Sequence, residues 1–147
     1  MEDQHVVDVL LVEDRSEDAE LALLALKKHN FVNVVNWVKD GEEALEYVFA
    51  EGRYKDRNIE SRPKLILLDL KMPKVDGIEV LRRIRADDRV KHIPVVVLTT
   101  SKEEQDITNA YNLHVNAYML KPVEFHNFIE AVKTMGMFWV LLNQRPY

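Results

Sequence analysis

Three carboxylates, a run of hydroxyls and a lysine stand where short apolar runs of this chain end. Glu13 and Asp14 follow Val6 to Val12, Asp69 follows Leu65 to Leu68, Thr99, Thr100 and Ser101 follow Val95 to Leu98, and Lys121-Pro122 follows Val115 to Leu120. Carboxylates gathered without a partner repel and raise one another's pKa, whereas a hard divalent cation with oxygen ligands stabilises all of them as anions. Magnesium, Mg2+, is the natural occupant, because an ion held by few carboxylates keeps coordination positions for phosphate oxygens. A lysine and a threonine hydroxyl complement the remaining phosphoryl charge, so the set reads as a phosphoryl-transfer site. Asp69 is the candidate nucleophile, since a carboxylate can accept a phosphoryl group as a reactive aspartyl-phosphate.

These residues serve one site only if the apolar runs are neighbouring strands that end on the same edge. Five such runs recur, the fifth being Val32 to Val38, and only Asp8 breaks the first. Being continuous rather than alternating, they fit strands buried on both faces. Segments with helical spacing lie between them. The first is expected after Ser16, burying Leu21, Leu24, Ala25 and the stem of Lys28, with Leu23 and Leu26 widening the stripe. Asp40-Gly41-Glu42-Glu43 and Ser101-Lys102-Glu103-Glu104 have capping-box spacing, and Asp76-Gly77 opens another helix. A last, longest helix is expected from about Glu124 towards Trp139. Strand–helix alternation five times over predicts a doubly wound, five-stranded parallel sheet of (βα)5 type, in which ligands bind at the carboxyl ends of strands. Successive strand residues face opposite ways, so Glu13 and Asp14 share a site only if the strand stops there. Asp69 stands too far before the helix near Asp76 to be its cap.

A length of 147 residues makes one domain, residues 1–147, and 47% hydrophobic with 31% charged residues is a globular composition. Having no cysteine excludes a disulfide framework and thiol chemistry. Twenty Lys and Arg against twenty-five Asp and Glu leave a net charge of −5, which argues against binding nucleic acid or anionic lipid. The acidic start Met1-Glu2-Asp3 is unlike a secretory signal, and the longest apolar run, Met137 to Leu142, is far short of the roughly 20 residues of a membrane span, so a cytoplasmic location is expected. Residues 51 to 64 are expected to form the most mobile loop. The five histidines lack metal-ligand spacing.

The motifs Leu-Val-Glu-Asp at 11–14, Leu-Leu-Asp-Leu-Lys-Met-Pro at 67–73 with Asp76-Gly77, Pro-Val-Val-Val-Leu-Thr at 94–99, and Lys121-Pro122 together resemble a response-regulator receiver domain over essentially the whole chain. The resemblance implies a flavodoxin-like receiver fold in which Asp69 takes phosphate from a sensor histidine kinase. It implies that Asp14 and Asp69 ligate Mg2+ directly, Glu13 largely through water, and Lys71 through its backbone carbonyl. Thr99 and Lys121 would bind the phosphoryl oxygens, and Tyr118 would be a switch aromatic that moves inward as Thr99 is drawn to the phosphate. The Lys121-Pro122 bond would be cis. Lys71, Thr100 and Ser101 hold positions that influence the lifetime of the phosphoryl group.

The Glu51-Gly52-Arg53-Tyr54 segment and the tail from Phe138-Trp139 to Pro146-Tyr147 are most similar to small stand-alone regulators that partner phytochrome-type kinases. Many of these dimerise. Met135, Met137, Phe138, Trp139, Leu141 and Leu142 are too many apolar residues for one face of a terminal helix, which makes residues 123–147, and Phe138 and Trp139 above all, a candidate homodimer interface. Since nothing of the chain remains for a DNA-binding or enzymatic output domain, the expected function is a non-enzymatic phosphoacceptor that signals by changing its protein-binding surface to a downstream partner. A haloacid-dehalogenase-type phosphatase shares aspartate, threonine, lysine and magnesium, but it needs an acid two residues after the nucleophile, where Lys71 stands. A pseudo-receiver that binds partners without phosphorylation is disfavoured because every expected site residue is present.

Overall fold

A computed structural model describes residues 9–28, 34–124, 126–128 and 130. Its elements are β1 (Val9–Val12), α1 (Ser16–Lys28), β2 (Val35–Val38), α2 (Gly41–Phe49), β3 (Leu65–Leu68), α3 (Gly77–Arg85), β4 (Val95–Thr99), α4 (Glu104–Asn112) and β5 (Ala117–Leu120). Residues 126–128 and 130 are also helical, while the rest of the expected last helix, the residues Val6 to Asp8 of the first apolar run, and Phe138 and Trp139 lie outside the described residues.

The strands form one all-parallel sheet in the order β2-β1-β3-β4-β5, the (βα)5 flavodoxin-like arrangement. β1, β3 and β4 are buried at every position, as their unbroken apolar runs require. Alternate side chains enter opposite layers. Leu10, Val12, Ile66, Leu68, Val95 and Val97 pack with Val48 of α2, Val80, Leu81 and Ile84 of α3 and Ala110 of α4. Val9, Leu11, Leu65, Leu67, Val96 and Leu98 pack with Ala19 and Leu26 of α1 and with Phe128. The register sets Val12 beside both Val38 and Leu68, so β1 and β3 end level. The ladder then runs one residue further, from the Asp69 amide to the Val12 carbonyl at 3.1 Å and from the Lys121 amide to the Thr99 carbonyl at 2.9 Å. That extension brings the ends of the apolar runs to a single edge.

The phase of α1 differs from the sequence expectation. Leu21 and Leu24 are 65% and 64% exposed, and the buried stripe is Ala19 and Leu26 with Ala22 and Leu23 partly covered. Residues 21 to 26 are apolar all the way round, so periodicity could not set the phase, and packing against the sheet buries Ala19 and Leu26 instead. The side chains of Ala25 and Lys28 lie outside the described residues.

Asp40 caps α2 by accepting the Glu43 amide at 2.8 Å, while the Glu43 carboxylate reaches the Lys39 amide at 3.1 Å, one residue before the cap. Asp76 caps α3 through the Glu79 amide at 3.0 Å. The expected box at Ser101 is different, because α4 begins at Glu104 and Ser101 is no cap residue. Its hydroxyl instead donates to Asp106 at 2.6 Å and accepts from the Glu103 amide at 3.3 Å, a local competitor to helix capping.

The 51 to 64 connection, expected to be mobile, is tied down. It contains a 3-10 helix at Gly52–Tyr54; Tyr54 Oη donates to Glu43 at 2.6 Å, Arg53 Nε to Glu46 at 2.6 Å, and Arg57 donates to the Ser61 carbonyl at 2.7 Å while stacking on Tyr47 at 3.8 Å. Among the described residues, no helix is long and apolar enough to cross a membrane.

Candidate functional site

β1 stops at Val12, and the chain turns so that Glu13 is buried at 3% exposure while Asp14 is exposed to solvent. Two bonds hold the turn: the indole of Trp37 on β2 donates to the Glu13 carbonyl at 2.7 Å, and the Arg15 amide donates to the Glu13 carboxylate at 3.1 Å. Asp69, 5% exposed, follows β3 on the adjacent strand. Oxygens of Glu13, Asp14 and Asp69 all come within 4.8 Å of one another, which meets the geometric demand placed on adjacent strand residues. A hard-cation donor set consists of such carboxylate oxygens on separate elements, and the residues fit a divalent ion.

Lys121, reaching across from the end of β5, lies among these acids. Its ammonium donates to Glu13 Oε1 at 2.6 Å, to Asp18 Oδ2 at 2.9 Å and to Asp69 Oδ2 at 3.2 Å. Burial pushes the Glu13 carboxyl up to about 7, against the opposing pull of the Lys121 and Arg15 hydrogen bonds, and the neighbouring Asp69 charge adds to the rise. Burial alone would lower the Lys121 ammonium; the hydrogen bonds to Glu13 and Asp18 and the charge of Asp69 outweigh it and hold its pKa above the ordinary lysine range. The Lys121-Pro122 bond is cis, as expected.

Thr99 is wholly buried at the end of β4, and its hydroxyl accepts the Ser101 amide at 3.3 Å. The Ser101 carbonyl accepts the hydroxyl of half-buried Tyr118 at 2.9 Å. One residue, Ser101, therefore links the expected switch pair Thr99 and Tyr118. Thr100 is exposed at this edge. Lys71 divides its groups: the backbone amide approaches Asp69 Oδ1 at 3.4 Å, while the ammonium turns away to Asp106 at 3.0 Å and Glu103 at 3.8 Å. The Ser101 hydroxyl and then the Lys71 ammonium hold Asp106 below the usual carboxylate range.

Of the expected site residues, Glu13, Asp14, Asp69 and Lys121 come together, Thr99 and Tyr118 are joined to each other through Ser101, and the Lys71 side chain is directed to Asp106. Sequence reasoning missed Asp18 and Asp106. Both are acids in the first turn of a helix, a place where acids ordinarily complement the dipole. The signal available was topological, since a helix that starts at the active edge of the sheet must put its first turn beside that edge.

A parallel sheet presenting a buried aspartate, two further acids, a threonine and a lysine at its carboxyl edge defines a receiver of phosphoryl groups. The chain belongs to the response regulator receiver domain family, which it matches over residues 9–133. It is 40% identical over 138 residues to the probable methanogenesis regulatory protein FilR2 of Methanothrix harundinacea, covering 94% of this chain and 86% of that one. It is 39% identical over 132 residues to response regulator Rcp1 of Synechocystis, covering 90% and 88%, and a solved structure of Rcp1 is a Mn2+-bound form, with a TM-score of 0.75, 38% identity and coverage of 95% of this chain and 98% of that one. The solved bacteriophytochrome response regulator RtBRR superposes with a TM-score of 0.82 at 48% identity, covering 94% of this chain and 82% of that one. The phosphorylated cyanobacterial phytochrome response regulator RcpA does so with a TM-score of 0.75 at 42% identity, covering 95% and 97%. The chain is accordingly a response regulator receiver domain that takes phosphate on an aspartate in two-component signalling, and receivers of this family bind a divalent metal at an acidic pocket.

Proposed function

We propose that Asp69 is the phosphoacceptor, that Mg2+ is the ion used, and that a phytochrome-type sensor histidine kinase in the cytoplasm is the donor. Two buried acids of the three-acid cluster meet the Lys121 ammonium, Glu13 at 2.6 Å and Asp69 at 3.2 Å, and one observation carries the assignment: of these two Asp69 is the aspartate, the residue type on which receivers take phosphate. In the transfer, the P–N bond of the kinase phosphohistidine breaks as a P–O bond to an Asp69 carboxylate oxygen forms, and the freed imidazole nitrogen takes up a proton. Glu13, Asp14, Asp69 and the Lys71 carbonyl would hold Mg2+, which when bound supplies charge neutralisation for the phosphoryl oxygens. Lys121 and Thr99 contribute a positive charge and a hydroxyl donor to the same oxygens. Thr99 Oγ1 accepts the Ser101 amide and keeps its own proton for those oxygens, so a shift of Thr99 towards them is carried by Ser101 to Tyr118 through the two bonds on its backbone. The altered surface around Tyr118 and α4 is what a downstream protein reads.

This reading makes the protein a phosphoacceptor that promotes only its own phosphorylation and dephosphorylation; the apolar composition of residues 135–142 is the separate ground for proposing a homodimer through Phe138 and Trp139, which lie outside the described residues. The deciding experiment is intact mass after incubation with a small acyl-phosphate donor and Mg2+, with Asp69→Asn alongside. The expected result is one added phosphoryl group on the wild type, absent without Mg2+ and absent from the variant. A wild type that binds Mg2+ by fluorescence titration yet is never phosphorylated, even by a cognate kinase, sinks the assignment, and one that binds neither revives the pseudo-receiver.

A further inference from the structure

Asp18 is not one of the three acids whose oxygens converge as a cation site, yet it shares their lysine. Its Oδ2 accepts from Lys121 at 2.9 Å, between the Glu13 bond at 2.6 Å and the Asp69 bond at 3.2 Å. The three donors of the ammonium thus meet three carboxylates. Asp18 sits in the first turn of α1, with its side chain 28% exposed where those of Glu13 and Asp69 are 5% and 6% exposed. On its outer side Arg15 Nε lies 3.3 Å from the same Oδ2, so the carboxylate is held from both directions.

Lys121 has two duties that conflict. In the state described it neutralises Glu13 and Asp69, but a divalent ion in the acid cluster draws on those same carboxylates, and of the three acids that contact Lys121 Asp18 is the one outside the cluster. Without such a partner, Lys121 would compete with the ion for Glu13 and Asp69, or swing into solvent and be lost to the phosphoryl oxygens. We propose that Asp18 is a positioning residue for Lys121, keeping its ammonium beside the acceptor when Glu13 and Asp69 turn to the ion. This rests on Asp69 as acceptor and on the acid cluster as the ion site.

The test is a double-mutant cycle on the full chain with Mg2+ alone as the probe, read by calorimetry, followed by the rate of phosphoryl addition from an acyl phosphate at saturating Mg2+. Asp18→Asn should weaken Mg2+ binding about fivefold and slow phosphoryl addition by a similar factor, the size expected for losing one partly exposed charge pair. Asp18→Glu should recover most of both. In a Lys121→Gln background the same Asp18→Asn change should alter Mg2+ affinity by less than about twofold, because the lysine it acts through is gone. An Asp18→Asn variant that matches the wild type in both measurements overturns the proposal. So does an equal loss of Mg2+ affinity with and without Lys121, which would mean that Asp18 acts by its own charge or through the helix. A wild type that takes no phosphoryl group at all would instead fail the assignment of Asp69, while the Mg2+ cycle would still decide whether Asp18 governs Lys121.

Discussion

Glu13 lies 2.6 Å from the Lys121 ammonium and is nevertheless pushed up to about 7, because little water reaches it and Asp69 stands beside it. The unfolded chain releases this proton near the ordinary glutamate value of 4.5, so between those values the folded chain binds a proton that the unfolded chain has lost. The stability from that proton is complete below about 4.5 and disappears as pH rises through 7. Metal-free protein should therefore lose stability between pH 5 and pH 7.5 in urea titrations, as roughly measured by a falling midpoint, and Glu13→Gln should flatten that slope. Mg2+ affinity should move the other way and fall as pH drops below 7, since the ion must then displace the Glu13 proton. Lys71 offers a contrast. Its side chain is 56% exposed and its ammonium pairs with Asp106 and Glu103 away from the acids, so Lys71→Ala should change the phosphoryl lifetime while leaving Mg2+ affinity nearly intact and costing under about 1 kcal/mol of stability. A large loss of Mg2+ binding would contradict a ligand role confined to its backbone carbonyl. Tyr118→Ala removes the hydroxyl from the Ser101 carbonyl and should abolish the dependence of partner affinity on phosphorylation, measured by titrating a partner against both forms.

At the scale of elements, the edge depends on how closely α3 approaches β3. The Gly77 amide donates to the Leu70 carbonyl at 2.9 Å, and a Cβ at Gly77 would lie 2.6 Å from Leu70 Cα and collide with the Asp69 carbonyl. Gly77→Ala should therefore cost about 2–4 kcal/mol in thermal unfolding, despite alanine's better helix propensity, and should slow phosphoryl addition because the acceptor's own backbone must shift. Asp76→Ala, one residue earlier, removes only the bond to the Glu79 amide and should cost about 1 kcal/mol with the site unaffected. The strands, the caps at Asp40 and Asp76 and the order of elements were legible in the sequence, since apolar runs and cap residues act locally. The phase of α1 was not, because a segment apolar all round is placed by the sheet it meets rather than by its own pattern.

For the whole molecule, an ion that binds only the folded chain raises stability by mass action, about 2.7 kcal/mol when Mg2+ is a hundredfold above its dissociation constant. A rise of that order in urea unfolding should be seen with the wild type and lost in Asp69→Asn, which removes one of the three convergent carboxylates. The dimer proposed above should appear as twice the chain mass of 17.2 kDa in sedimentation, and replacing both Phe138 and Trp139 by alanine should return the monomer.

Residue type and position by themselves determined the chemistry: acids, hydroxyls and a lysine stand at the ends of apolar runs, and a parallel sheet sends all such ends to one edge. Because β1, β3 and β4 are short and buried on both faces, their polar ends have nowhere else to go, whereas β2 and β5 at the sheet's margins are only partly buried. Which groups touch was decided only in three dimensions. Asp18 and Lys121 are separated by 103 positions and meet because α1 starts at the edge that β5 ends on. Asp106 meets Ser101 and Lys71 because α4 begins later than local capping rules suggest. Such contacts follow from the register of strands and the landing of helices, and those are settled by packing the two apolar layers together rather than by any one segment.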